Sequence, residues 1–170
     1  MSSIIPPRPR VHSASKFHVA IVASKFNEEF TDALVANAVA ELQGMVDNPR
    51  IDIVRVPGAF EIPVMVRSVF EEDEPQCVIA LGCIIQGATA HADLIARAVT
   101  DQLCALSVSY AKPVIHEVLL VENEKQAYAR CIGETLNRGK EAARSALECV
   151  GVMNEITRAN QSIRLHPSNA

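Results

Sequence analysis

The sequence predicts an α/β fold: a single domain built as a three-layer α/β/α sandwich around a four-stranded parallel sheet. Three observations predict it. Short apolar runs and segments of helical period alternate four times along the 170 residues. The apolar runs are continuous rather than alternating, as in strands covered on both faces. Segments of helical period separate them, and these can serve as the right-handed crossovers that parallel strands require. At 49% hydrophobic residues the chain can bury a substantial core, and its length suits one domain.

Each element has its own signal. Residues 1–16 are rich in Pro, Arg and Ser without periodicity, and read as an extended tail outside the core. Phe17–Ala23 is short, apolar and β-branched, hence a strand. From Asn27 to Gly44 the apolar residues Phe30, Leu34, Val35, Ala38, Val39 and Leu42 recur at helical spacing, with Gly44 as the stop. Ile51–Val56 is the second strand, ended by Pro57-Gly58. Phe60–Phe70 is helical, with an acidic end at Glu71–Glu74 and a break at Pro75. Cys77–Leu81 is the third strand. Thr89–Tyr110 is a long helix with Leu94, Ile95, Ala98, Val99, Leu103 and Leu106 on one face. Pro113–Val121 is the fourth strand. Glu124–Ile132 and Asn137–Asn160 are helices, jointed near Gly133 and Gly139, and residues 161–170 read as frayed. Residues 17–160 thus form one domain of the flavodoxin-like sort, in which ligands bind beyond the carboxyl ends of the strands. A four-stranded sheet leaves two edges to be covered, which the tail could do for a neighbouring subunit.

Composition narrows the function. The net charge of −4 and the scattered basic residues argue against a nucleic-acid partner. No apolar stretch is long enough for a signal peptide or a membrane span. Cys77, Cys83, Cys104, Cys131 and Cys149 show no C-x-x-C spacing and sit among apolar neighbours. They read as reduced, buried thiols of a cytoplasmic protein. No His/Cys cluster has zinc spacing.

The informative residues fall where this fold binds ligands. Gly82-Cys-Ile-Ile-Gln-Gly-Ala-Thr89 follows a strand and opens a helix. Its glycine spacing resembles a P-loop, but Ala88 stands where the lysine must be, so a nucleoside triphosphate site is disfavoured. What remains is an anion seat: Gly87 for close backbone approach, helix N–H groups, and the Thr89 hydroxyl. An ordinary turn capped by Thr89 has the same spacing. His91 lies in the first helical turn, where the helix dipole disfavours imidazolium and leaves a base useful near neutral pH. A capping or surface histidine would look alike. Arg130, in the helix after the fourth strand, is a phosphate ligand or a solvated helix residue. Glu61 is a ligand or a helix-dipole partner. Phe26 is a stacking ring or a core residue.

Taken together, the residues resemble a known family. Phe26-Asn27 after the first strand, Pro57-Gly-Ala-Phe-Glu-Ile-Pro63 after the second and Gly87-Ala-Thr-Ala-His91 after the third are similar to lumazine synthase. Glu122-Asn123 and Arg130 also fall at that family's spacing, and the resemblance spans about residues 17–158. It implies condensation of 5-amino-6-(D-ribitylamino)uracil with 3,4-dihydroxy-2-butanone 4-phosphate. The products are 6,7-dimethyl-8-ribityllumazine, phosphate and water, with no metal or organic cofactor. By the same resemblance, Phe26 stacks on the pyrimidine. Asn27, Gly58, Ala59, Phe60 and Glu61 line the ring and ribityl pocket, and Cys83, Ile84 and Ile85 continue it through backbone groups. Gly87, Ala88 and Thr89 hold the phosphate, Arg130 reaches it across a subunit interface, and His91 moves protons.

The chain departs from the family's usual pattern in places. His116-Glu117 stands where Phe-Gly or a similar pair is common at the pyrimidine pocket, and a His there can still stack. Leu120-Val121 replaces a Thr-bearing stretch, Gln86 a frequent Arg or Lys, and Glu134 and Leu136 interrupt a Gly/Lys-rich linker. The resemblance implies a homo-oligomer of pentamers, which in cage-forming members number twelve. Two other functions share the fold: a non-catalytic shell or flavin-binding member, and the enzyme that dismutates two lumazines to riboflavin. His91, Arg130 and Glu61 speak against the first, and the P-G-A-F-E-I-P and G-A-T-x-H segments against the second.

Overall fold

The computed structural model describes residues 17–165 and, in the tail, residues 5 and 7–9. Strands β1 (His18–Ser24), β2 (Arg50–Val56), β3 (Cys77–Ile85) and β4 (Val114–Val121) form one parallel sheet in the order β2-β1-β3-β4. Val22 on β1 pairs with Val54 on one side and Ala80 on the other, and Ala80 in turn with His116. The central strands β1 and β3 are buried almost throughout, whereas the edges β2 and β4 are only partly covered. The continuous apolar runs thus mark the middle of the sheet best, where both faces need hydrophobic cover.

Helices fill two layers. On one face α1 (Glu28–Met45), α4 (Glu124–Cys131) and α5 (Arg138–Leu165) lay Leu34, Leu42, Ala127 and Leu147 against Val19, Ile21, Ile79 and Leu81. On the other, α2 (Ile62–Glu72) and α3 (His91–Tyr110) lay Ile62, Val66, Val99 and Leu103 against Ala20, Val22, Val78 and Ala80. Successive strand residues alternate between the two cores, as the pleat dictates. Each fully buried Val, Leu or Ile contributes roughly 1.5–3 kcal/mol. Where α1 crosses α5, the backbones approach closely: a Cβ on Gly139 would lie 2.5 Å from the Leu34 carbonyl oxygen and 3.0 Å from the Asn37 Cβ. At the same seam Glu41, 4% exposed, accepts hydrogen bonds at 2.8 Å from Arg8 of the tail and at 2.8 Å from Arg144 of α5. The Arg8 hydrogen bond is the main cause that holds its carboxyl below the usual range.

Several expected boundaries move. The third strand runs on to Ile85 rather than ending at Leu81, so Gly82–Ile85 is strand paired with Val118–Val121, not phosphate loop. Gly82 is there because a Cβ would meet the Val118 Cγ1 at 3.0 Å and the Ser24 Oγ at 3.2 Å. The long helix begins at His91 rather than Thr89. The second helix begins at Ile62, after a single 3-10 turn at Ala59–Glu61. The first helix passes Gly44 to Met45. Cys104 is exposed on α3 and Cys149 only half-buried on α5, against the expectation that all five thiols are buried. The last helix continues to Leu165. Residues 166–170 and most of the tail, on which the frayed end and the extended arm were expected, lie outside the described residues.

Candidate active site

The carboxyl rim of the sheet is stitched together by three loops. Beyond β1 and β2 the pairing continues through Lys25 N–H to the Val56 carbonyl (2.7 Å) and Phe26 N–H to the Pro57 carbonyl (3.1 Å). Asn27 then takes a left-handed conformation, φ 57° and ψ 52°, which Asn tolerates better than most residues. Its carbonyl accepts from the N–H groups of Phe30 and Thr31 at the start of α1, while its side chain does no capping. Instead Nδ2 donates to the Cys83 carbonyl at 2.8 Å, tying the first loop to the end of β3. The turn throws Phe26 outward, 71% exposed. This settles that ring's place in the fold: it is no core residue.

In the second loop Ala59 is buried and Phe60 is 59% exposed, a second aromatic face at the same rim. Glu61 turns its carboxylate back on its own turn, Oε2 accepting from the Gly58 N–H at 2.9 Å. That is the reaching-back half of a capping box, and among the described residues Oε1 has no hydrogen-bond partner. Pro63 in the first turn of α2 leaves no N–H unpaired there.

In the third loop, the Gln86 N–H donates to the Val121 carbonyl at 2.8 Å and ends the β3–β4 ladder. Gly87, Ala88, Thr89 and Ala90 are exposed. A Cβ on Gly87 would meet no atom within 4 Å, and its φ is not positive. Nothing within the chain therefore demands glycine at that position. α3 opens without a side-chain cap, the nearest substitute being Thr89 Oγ1 at 3.5 Å from the His91 N–H. His91, exposed, is the first residue of α3, four residues after Gly87, and the first N–H groups of that helix have no partner within it.

Two predicted site residues stand apart from this cluster. Arg130 closes α4, whose Ala127 and Cys131 pack on the α1/α5 face of the sheet, while α3 and its His91 belong to the other face. Its Nη1 donates to the Gln126 carbonyl at 3.4 Å, and among the described residues it pairs with no carboxylate. His116 is the third of the eight residues of the edge strand β4, in its amino half rather than at the rim, and bonds to Thr100 of α3. Burial lowers its pKa, opposed by its own carbonyl. Its neighbour Glu117 points to the opposite face, towards Arg138 and Glu141 of α5. Burial pushes that carboxyl up to about 7 against the pull of Arg138. Behind the rim the Cys131 thiol donates to the Cys83 sulfur, which holds the Cys83 thiol below its ordinary range.

The sequence did not point to Thr100, the partner of His116, nor to the clasp of Asn27 on Cys83, because both are contacts between distant elements. A groove of about 480 Å³ lies between α1 and β2, lined by Asp32, Val35, Val39, Ile53 and Arg55 among others, and holds none of the predicted site residues. Among the described residues no group of three or more His, Cys, Asp or Glu side chains is placed to hold a metal ion, and no helix is long and apolar enough to cross a membrane.

Comparison with known proteins identifies the family. Residues 16–154 match the family described as 6,7-dimethyl-8-ribityllumazine synthase. A protein of that name from Xanthomonas oryzae pv. oryzae (strain PXO99A) is 41% identical over 135 residues, 79% of this chain and 88% of its own. Its namesake in Paracidovorax citrulli (strain AAC00-1) is 38% identical over 143 residues, 84% and 90% of the two chains. That of Polaromonas sp. (strain JS666 / ATCC BAA-500) is 37% identical over 142 residues, 83% and 90%.

Proposed function

We infer the working of this rim from the premise that the chain belongs to the 6,7-dimethyl-8-ribityllumazine synthase family. The protein is a riboflavin-biosynthesis enzyme. It condenses 5-amino-6-(D-ribitylamino)uracil with 3,4-dihydroxy-2-butanone 4-phosphate and releases phosphate. The amine forms an imine with the ketone with loss of water, phosphate is eliminated, and the ring closes with loss of a second water.

We propose that each active site joins the rim of one copy to the β4–α4 side of the next. The observation that carries this is the division of the predicted residues: Phe26, Glu61, Gly87 and His91 lie on linked rim loops, and Arg130 on the opposite layer. A neighbouring copy supplies the missing cation without distorting either. In this site Phe26 stacks on the pyrimidine, and the exposed Phe60 and the backbone of Cys83, Ile84 and Ile85 shape its pocket. Glu61 Oε1 accepts from ribityl hydroxyls, with Gly58 and Ala59 beside it and Asn27 fixing the loop. Gly87, Ala88 and Thr89 seat the phosphate at the start of α3, where backbone N–H groups and the helix dipole favour an anion. The unfilled space around Gly87 supports that role. Arg130 binds the phosphate from the neighbour, and the neighbour's β4 presents His116 to the pyrimidine.

The energetics suit the chemistry. Holding amine and ketone at reacting distance supplies about 7–11 kcal/mol in favourable cases. Proton transfer through His91 adds about 10²–10⁴-fold. The assembly is a pentamer or a multiple of it. Support comes from the partly covered sheet edges and from the exposed Phe26, Phe60, Leu94 and Val108. The five free thiols support a reducing compartment, the cytoplasm.

Incubation with both substrates tests the reading. Lumazine absorbance should rise with one phosphate released per lumazine formed. Lumazine consumption to riboflavin without phosphate release would assign the site to the dismutation instead.

A further inference from the structure

His116 is held by two hydrogen bonds, and a third on its partner Thr100 fixes its state. Its Nδ1 accepts from the Val118 N–H at 3.1 Å, so Nδ1 carries no proton. The ring's proton is therefore on Nε2, which lies 2.7 Å from the Thr100 Oγ1. The Thr100 hydroxyl in turn gives its own proton to the Ala96 carbonyl, one turn back on α3, at 2.8 Å. Thr100 is thus left as a pure acceptor aimed at Nε2–H, and the chain Nε2–H to Oγ1 to carbonyl has one consistent direction. Charging the ring would put a second N–H on Nδ1, against the Val118 N–H. The second bond also fixes the ring about its outer torsion, because Thr100 is a β-branched residue on a rigid helix with few rotamers to offer.

We propose that Thr100 is a positioning residue for the condensation: it locks His116 as a neutral, Nε2-protonated ring whose face, rather than an N–H group, meets the pyrimidine of a neighbouring copy. β4 is the edge of the sheet and Thr100 is exposed on α3, so the ring lies where a neighbour can reach it. With both nitrogens already engaged, the imidazole has no donor or acceptor left to offer a ligand, only its π-face. The residue thereby serves as an uncharged stacking ring although it is a histidine. Glu117, Arg138 and Glu141 lie on the other side of the sheet.

This inference rests on the reading that His116 lines the pyrimidine pocket, and a double-mutant cycle separates the two. Steady-state kinetics of the assembled enzyme would compare Thr100→Val, Thr100→Ser, His116→Ala, His116→Phe and the pair Thr100→Val/His116→Phe. Thr100→Val should raise the KM for the pyrimidine about two- to tenfold, the factor one neutral hydrogen bond supports, with kcat and the KM for the butanone phosphate unchanged. Thr100→Ser should restore it. With Phe at position 116, which needs no lock, Thr100→Val should have no further effect. If His116→Ala leaves the pyrimidine KM unchanged, the pocket reading fails. If His116→Ala raises it but Thr100→Val does not, or does so equally beside Phe, the lock is overturned.

Discussion

Replacing Phe26 with alanine removes an aromatic ring that the fold itself does not use. The side chain is 71% exposed, and its position is set by backbone bonds: its own N–H to Pro57 and the clasp of Asn27 on Cys83. Truncation therefore leaves neither a buried cavity nor an unpaired polar group, and surface changes of this kind alter stability by about 0.5 kcal/mol or less. The loss should appear in substrate binding. Stacking of a nucleobase on an aromatic side chain is worth about 1–3 kcal/mol by alanine substitution. At about 1.4 kcal/mol per tenfold, this predicts a roughly 5- to 150-fold higher KM for the pyrimidine. The assay is the rise of lumazine absorbance at saturating butanone phosphate with the pyrimidine varied, beside a melting curve. Phe26→Tyr should restore most of the affinity, and Phe26→Leu only part. An unchanged pyrimidine KM would refute the stacking role. A large drop in melting temperature would refute the claim that the ring is structurally idle.

Other perturbations test other parts of the account. His91→Ala should slow kcat about 10²–10⁴-fold and leave turnover measurable, because proximity still acts; a folded variant with no activity at all would contradict that division. Arg130→Ala should mainly raise the KM for the butanone phosphate; a change confined to the pyrimidine KM would remove Arg130 from the phosphate. Glu117, with its carboxyl pushed up to about 7, contributes stability at low pH that is lost as pH rises through that value. Glu117→Gln should accordingly raise the melting temperature at pH 8 and leave it nearly unchanged at pH 5, and the reverse order would show that the carboxylate is held by Arg138 instead. Gly139→Ala would place a methyl 2.5 Å from the Leu34 carbonyl oxygen; the resulting overpacking should cost about 1–3 kcal/mol, read as a lower urea midpoint.

How far the sequence could be read depended on the range of each interaction. The sheet, its parallel sense and its helical layers follow from the runs around Ile21 and Ile79 and from the period of Leu34 to Leu42, which are local patterns. The end of β3 was not local. Gly82 reads as a loop residue until Val118 and Ser24 are seen beside it, when the missing Cβ becomes a packing requirement of a strand. The start of α3 slipped from Thr89 to His91 because Thr89 signals a cap that its hydroxyl makes only at 3.5 Å. The rim positions of Phe26, Glu61, Gly87 and His91 were legible because rim loops follow strands in chain order. That Arg130 lies on the layer opposite α3 was not, since α4 could have packed on either face. Thr100 gave no signal at all: sixteen residues from His116, it is one polar residue among several on an exposed helix.

The central claim is that two copies share each site, and mixing two crippled variants tests it most directly. His91→Ala and Arg130→Ala subunits are dissociated, combined in equal amounts and reassembled, and lumazine formation is measured at a butanone phosphate concentration where each parent is nearly silent. In a head-to-tail ring, about a quarter of the interfaces then bring an intact His91 to an intact Arg130, and activity should recover to about that fraction of wild type. Activity no higher than the average of the two parents, in rings shown to be mixed, would mean that each copy carries its own complete site.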